Sequence, residues 1–218
     1  MRLVLANQWY PPESGWGGVA VWNYELARAL SALGHGVTVV TARTSPSMPA
    51  FTERDGVRIH RLQVYDLPRL RRLPLLGRYV RPALQLAYAW RVDKALRALH
   101  RQQTIDAVEF AEVNAEGFFF ARAPLTPLVV RCHTPNFVLQ RYYQPRELPF
   151  DTRLIGLAER DLIRRAHALT APSADMARVI AADCNLPLDR FTVIPNALSL
   201  TGFPQPDYLT TRLPDYLT

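Results

Sequence analysis

Short apolar runs alternate with longer amphipathic stretches along almost the whole chain. Arg2–Ala6, Val37–Thr41, Val57–Val64, Ile105–Phe110, Leu128–Cys132, Ala168–Ala171 and Phe191–Ile194 are brief, mostly apolar and rich in β-branched residues. Such runs predict strands buried on both faces. Between them the period changes. Val19–Leu33 puts Trp22, Leu26, Ala29, Leu30 and Leu33 on one helical face, and Leu84–Leu99 gathers Leu84, Ala87, Tyr88, Val92, Ala95, Leu96 and Leu99 near one stripe. Leu154–Ala166 reads as a further helix. Gly34 and Gly36 stop the first helix, and an Asp55-Gly56 turn opens the strand at Val57. Ser173 is placed to cap a helix running to about Ala182, with Asp175 in its first turn. This alternation predicts an α/β fold, an open parallel sheet with helices on both faces.

The stretch ESGWGG, residues 13–18, lies between the first strand and the first helix. In an open α/β sheet, ligands bind beyond the carboxyl ends of the strands, and this loop occupies such a place. Gly15, Gly17 and Gly18 allow a ligand close to the backbone, and the free N–H groups of the following helix attract an anion. A plain connector is the competing reading, although Pro11 and Pro12 stiffen its start. The spacing fits neither the dinucleotide fingerprint G-x-G-x-x-G nor a phosphate loop ending in G-K-[ST].

Composition narrows the class. The chain has 218 residues, 49% apolar and 21% charged, enough for a real core and unlike a disordered segment. Its formal charge of +7 rests on arginine, with Lys94 the only lysine. That surface suits anionic partners, or serves solubility alone. Cys132 and Cys184 are the only cysteines, which fits a reduced compartment without a disulfide framework. No secretory segment opens the chain and no apolar run approaches the ~20 residues of a membrane span, so a cytoplasmic location is expected.

Several stretches carry a resemblance when taken in order: SGWGGVAVWNYELARALSALGHGVTVVT, DGVRIHRL, VVRCHTP, ERDLIRRAHALTAPSADMARVI and VIPNALSL. Together they resemble the family 4 glycosyltransferases of the GT-B fold, in which two Rossmann-like domains face each other across a cleft. The resemblance implies that residues 1–196 are the Rossmann-like, acceptor-side half. It implies a retaining, metal-independent transfer from a nucleotide sugar to a sugar or lipid-linked acceptor, with no cofactor. No D-x-D motif occurs in the sequence. VIPNALSL resembles the hinge into the donor-binding domain, so 197–218 are expected to be a hinge and tail, with the donor-binding domain missing. The tail repeats PDYLT at 206–210 and 214–218, too short a repeat to form a solenoid unit. On this reading the isolated chain folds but does not transfer sugar.

His133 follows the strand ending at Cys132 and should emerge at the ligand edge of the sheet. An imidazole there can donate to a sugar hydroxyl or stabilise charge near a leaving phosphate, or it can simply hold the next loop. The resemblance places it beside the donor sugar, as the catalytic candidate. Glu109, Glu112 and Glu116 cluster where the strand from Ile105 meets the next segment. They could serve as acid and base in a hydrolase, bond sugar hydroxyls, or cap Asn114 and the helix start; Glu112 and Asn114 are the expected acceptor contacts. Arg69, Arg71, Arg72, Arg78 and Arg81 interleave with leucines and suggest peripheral contact with an acidic membrane, a clamp for a phosphorylated lipid, or a solvated loop. Pro68, Pro74 and Pro82 should break any long helix there. Nucleic-acid binding is not expected, for want of any recognised motif. The alternative to an enzyme is a non-catalytic sugar- or nucleotide-binding module. A reading frame that continues past Leu200 into a second βα domain would decide for the enzyme.

Overall fold

A computed structural model of the chain describes residues 1–12, 17–73, 76–139 and 150–196. The elements, in chain order, are β1 (Arg2–Ala6), α1 (Gly18–Ala32), β2 (Gly36–Arg43), β3 (Phe51–Arg54), β4 (Val57–Gln63), α2 (Pro68–Arg71), α3 (Gly77–Gln102), β5 (Ala107–Ala111), β6 (Leu128–Arg131), α4 (Asn136–Leu139), α5 (Phe150–Arg165), β7 (Ala168–Ala171), α6 (Ala174–Cys184) and β8 (Phe191–Val193). The eight strands form one sheet in the order β3-β4-β2-β1-β5-β6-β7-β8. All neighbours pair in parallel except β3 and β4.

Successive strand residues serve opposite faces. Leu5 packs with Val37, Val39, Val57 and Ile59 against Ala27 of α1. Val4, Ala6, Val40 and Ala42 belong to a second cluster with Tyr88, Val92 and Leu96 of α3. Double-sided burial explains the unbroken apolar runs in the sequence. Ser173 caps α6 by accepting a hydrogen bond from the Met176 amide, and Asn185 ends the helix in a left-handed conformation.

One strand is added to those the sequence predicts, and two expectations need correcting. The segment before the Asp55-Gly56 turn is a strand: β3 forms an antiparallel hairpin with β4, and the positive φ of both Asp55 and Gly56 matches the twist of a tight two-residue turn. Helix α3 begins at Gly77, with Pro82 inside it, so Pro82 does not break the helix. In the second turn it removes only one intrahelical bond. The buried stripe of α1 is Ala20, Asn23 and Ala27, while Leu33 is 74% exposed and Ala29 is exposed. Small side chains let this helix lie close to the sheet, and Tyr24, Leu26 and Leu30 pack half-buried against the same cluster. The two cysteines are free and buried. Among the described residues no helix is long and apolar enough to cross a membrane.

Candidate active site

The strand order reverses between β1 and β5. From β1 the chain moves outward to β2 and β4; from β5 it moves the other way through β6, β7 and β8. The carboxyl edge at such a reversal is a natural crevice. The segments after β1, β5 and β6 meet there and are tied together. The Gln8 amide donates to Glu116 Oε1 at 3.0 Å, joining the first two. Glu159 of α5 joins the second and third: its Oε1 accepts from the Asn114 amide at 3.0 Å and from Asn136 Nδ2 at 2.6 Å. Asn114 and Ala115 both have positive φ, 59° and 52°. A buried alanine in that region is strained by about 1–2 kcal/mol, so the clamp from Glu159 has a backbone shape to hold.

His133 lies two residues beyond β6 and is only 7% exposed. Burial, reinforced by the Arg131 charge, pulls its pKa down to about 4. Its imidazole is therefore neutral throughout the physiological range. The indole of Trp22, from α1, meets the imidazole edge-on with ring centres 6.3 Å apart. The Arg131 guanidinium stacks 4.1 Å above the Trp22 ring, and its Nη2 donates to Asn196 Oδ1 at 2.6 Å. Arg131 is 1% exposed, yet among the described residues its Nε and Nη1 have no partner. The charge of Glu109 already acts on this guanidinium, and its two open donors leave hydrogen-bonding capacity for an anion.

Beneath this layer lie acids whose pKa values burial raises. Glu112 is fully buried, and burial pushes its pKa up to about 8, partly opposed by the His133 amide, which faces it. Neither carboxyl oxygen closes a well-formed hydrogen bond among the described residues. Burial also lifts Glu116 to about 8, and Glu109 and Glu159 to about 7. For Glu109 the Trp22 indole and then the Arg131 charge work in the opposite direction.

Two cavities open near this edge. One, about 370 Å³, is lined by Gln8, Arg43, Gln63, Tyr65, Arg81 and Arg91, among others. It lies at the carboxyl ends of β1, β2 and β4. Backbone carbonyls brace two of its arginines: Arg43 donates to Met48 O and Pro46 O, and Arg91 to Gln63 O. The second, about 380 Å³, lies between α3 and α5 and includes Asn114. The expected site residues therefore divide: Glu112, just beyond β5, faces the backbone of His133 beyond β6, while Asn114 lines a different cavity. Gly15 lies outside the described residues, as does the segment 197–218.

Gly17 is the uncapped residue before α1 and Gly18 its first residue; neither has a positive φ, and a Cβ on either would meet nothing within 4 Å. These glycines are thus not needed for backbone geometry. Gly18→Val should leave the melting temperature almost unchanged, a stability change within about 0.5 kcal/mol. If a ligand approaches this backbone, the same variant should weaken acceptor binding in a calorimetric titration; equal affinity would mean the loop is only a connector.

Sequence reasoning missed Arg131, Trp22, Asn196 and Glu159. Arg131 had left one signal, a lone charge inside an apolar strand. Among the described residues no group of three or more His, Cys, Asp or Glu is placed to hold a metal ion.

Solved structures share this arrangement. The chain aligns with sucrose-phosphate synthase from Thermosynechococcus elongatus at a TM-score of 0.65 and 16% identity, covering 89% of this chain and 47% of that one. It aligns with the E. coli trehalose-6-phosphate structure bound with UDP-2-fluoro glucose at 0.56 and 16%, over 91% of this chain and 49% of the other. For the catalytic domain of starch synthase IV from Arabidopsis thaliana, bound to ADP and acarbose, the values are 0.53 and 11%, over 90% and 51%. The chain thus spans about half the length of these structures, and its fold is one half of a GT-B glycosyltransferase architecture. The chain belongs to Glycosyltransferase Family 4, whose family pattern matches residues 16–201. No curated protein matches it by sequence.

Proposed function

We propose that the chain is the acceptor-binding half of a glycosyltransferase that moves a sugar from a nucleotide sugar to a sugar or lipid-linked acceptor, with retention of configuration and without a metal ion. One observation carries the reading: His133, the under-satisfied Arg131 and an arginine-lined cavity share the carboxyl edge at the reversal of strand order. Transfer breaks the bond between the anomeric carbon and the diphosphate oxygen, makes one to the acceptor oxygen, and passes the acceptor hydroxyl's proton to the leaving diphosphate. The cavity holds the acceptor. His133, being neutral, donates a hydrogen bond to the donor sugar and adds no cation of its own. Arg131 supplies positive potential where charge develops on the leaving diphosphate. A donor-binding half forms the opposite wall, so the 218-residue chain alone binds acceptor without turnover. Two of the similar structures carry UDP-2-fluoro glucose and ADP, which supports a nucleotide-sugar donor.

The reading is tested in an enzyme that joins this chain to a donor-binding half. Turnover should survive chelation by EDTA, and NMR of the product should show the donor's anomeric configuration. An inverted product, or activity abolished by EDTA and restored by a divalent ion, would contradict the proposal.

A further inference from the structure

Residues 67–92 contain six arginines and no Asp or Glu. Within this stretch Leu67, Leu70, Leu73, Leu76 and Tyr79 recur at every third position, and all five are between 42% and 63% exposed. Arg69, Arg72 and Arg78 lie among them and are exposed as well. α2 packs against α3 and the four leucines stay outside, while at the end of the ridge Tyr79 meets Phe150 of α5 edge-on and, two residues on, Arg81 pairs with Asp151 of α5. Several large apolar side chains exposed on one short stretch mark a contact site.

We propose that this ridge docks the protein on an anionic lipid bilayer. The charge selects the occupant. Arginines without a single intervening acid suit a continuous negative surface, and leucines between them can enter the boundary between headgroups and acyl chains while the guanidinium groups stay at the phosphates. Tyr65 and Tyr79 flank the ridge and are more than two-fifths exposed. Rings of this kind favour the membrane–water interface. The ridge also connects to the site: Tyr65 before it and Arg81 after it both line the 370 Å³ cavity. Docking would bring the mouth of that cavity to the lipid surface. The proposal concerns binding alone and does not depend on the chemistry assigned to His133.

Vesicle flotation of the 218-residue chain tests it. The chain should float with phosphatidylcholine vesicles containing phosphatidylglycerol, remain unbound with phosphatidylcholine alone, and be released by high salt. Arg69→Gln with Arg72→Gln should lower partitioning by about tenfold or more, on the basis of roughly fivefold per arginine. Leu70→Glu with Leu76→Glu should do the same. Leu33→Glu, on an exposed residue outside the ridge, should bind as wild type does. Circular dichroism confirms folding of each variant, and the arginine pair carries the test if the leucine pair fails to fold. Equal binding to neutral vesicles, no binding to anionic ones, or ridge variants that bind like wild type would overturn the proposal. So would capture by an acidic protein partner through the ridge with no vesicle binding.

Discussion

His133→Ala should lower kcat by about 100-fold or more in an enzyme joining this chain to a donor-binding half, while the fold survives. The imidazole lies beyond the end of β6, not within the sheet, so its removal leaves the strand pairing intact. Its own chemistry fixes a second signature. With a pKa near 4 it stays neutral, and the pH–rate profile between about 5 and 8 should show no inflection from this group. Near pH 4 the imidazole gains a proton beside Arg131, and activity should fall. Trp22, at the edge of the ring, offers a fluorescence check that the site keeps its shape. A variant with normal turnover would reduce His133 to a structural residue. So would one that loses activity only because it unfolds.

Raising the pH from about 5 to 8 should destabilise the chain, and Glu112→Gln should remove a large part of that loss. The folded protein holds the Glu112 proton up to about pH 8, whereas the unfolded chain releases it near the ordinary value of 4.5. Between those limits the unfolded state binds fewer protons, so stability is full below 4.5, declines as pH rises and levels off above 8. Glu109, Glu116 and Glu159 act in the same sense. His133 acts in the opposite sense: its contribution is complete above 6.5 and is lost as pH falls toward 4. Four acids outweigh one histidine, so the stability these groups contribute is greatest at the acid end, at about pH 4, and falls as pH rises. At about 1.4 kcal/mol per pKa unit, with allowance for relaxation around the ionised group, Glu112→Gln should reduce the loss between pH 5 and 8 by roughly 2–4 kcal/mol. Thermal melts across that range check it. An unchanged slope in the variant would mean that Glu112 ionises in the folded state at an ordinary pH.

The sheet was legible because each central strand is an apolar run closed by a turn or a helix. β3 escaped because its four residues carry a single large apolar side chain, Phe51, and lie at the sheet edge with one face exposed. The start of α3 escaped because Pro82 reads as a breaker, although one lost hydrogen bond is affordable in a helix of 26 residues. The face expected for α1 held in part: Leu26 and Leu30 pack half-buried against the core and Trp22 is half-buried, whereas Ala29 and Leu33 are exposed. Close approach to the sheet instead selects Ala20, Asn23 and Ala27. At the site, His133 was readable from its position after a strand. The partners that set its pKa and hold its neighbours were not: Trp22 comes from α1, Arg131 from β6 and Glu159 from α5, and only the fold brings them together.

The central claim is that this half of the fold receives the acceptor. Calorimetric titration of the 218-residue chain tests it directly, with neutral sugars, sugar phosphates and nucleotide sugars as separate ligands. Saturable binding of an acceptor-type sugar or sugar phosphate is expected, weakened by Gly18→Val or Arg91→Gln, with much weaker binding of UDP-glucose or ADP-glucose. Tight binding of the nucleotide sugars with no binding of any sugar or sugar phosphate would contradict it and make the chain a nucleotide-binding module.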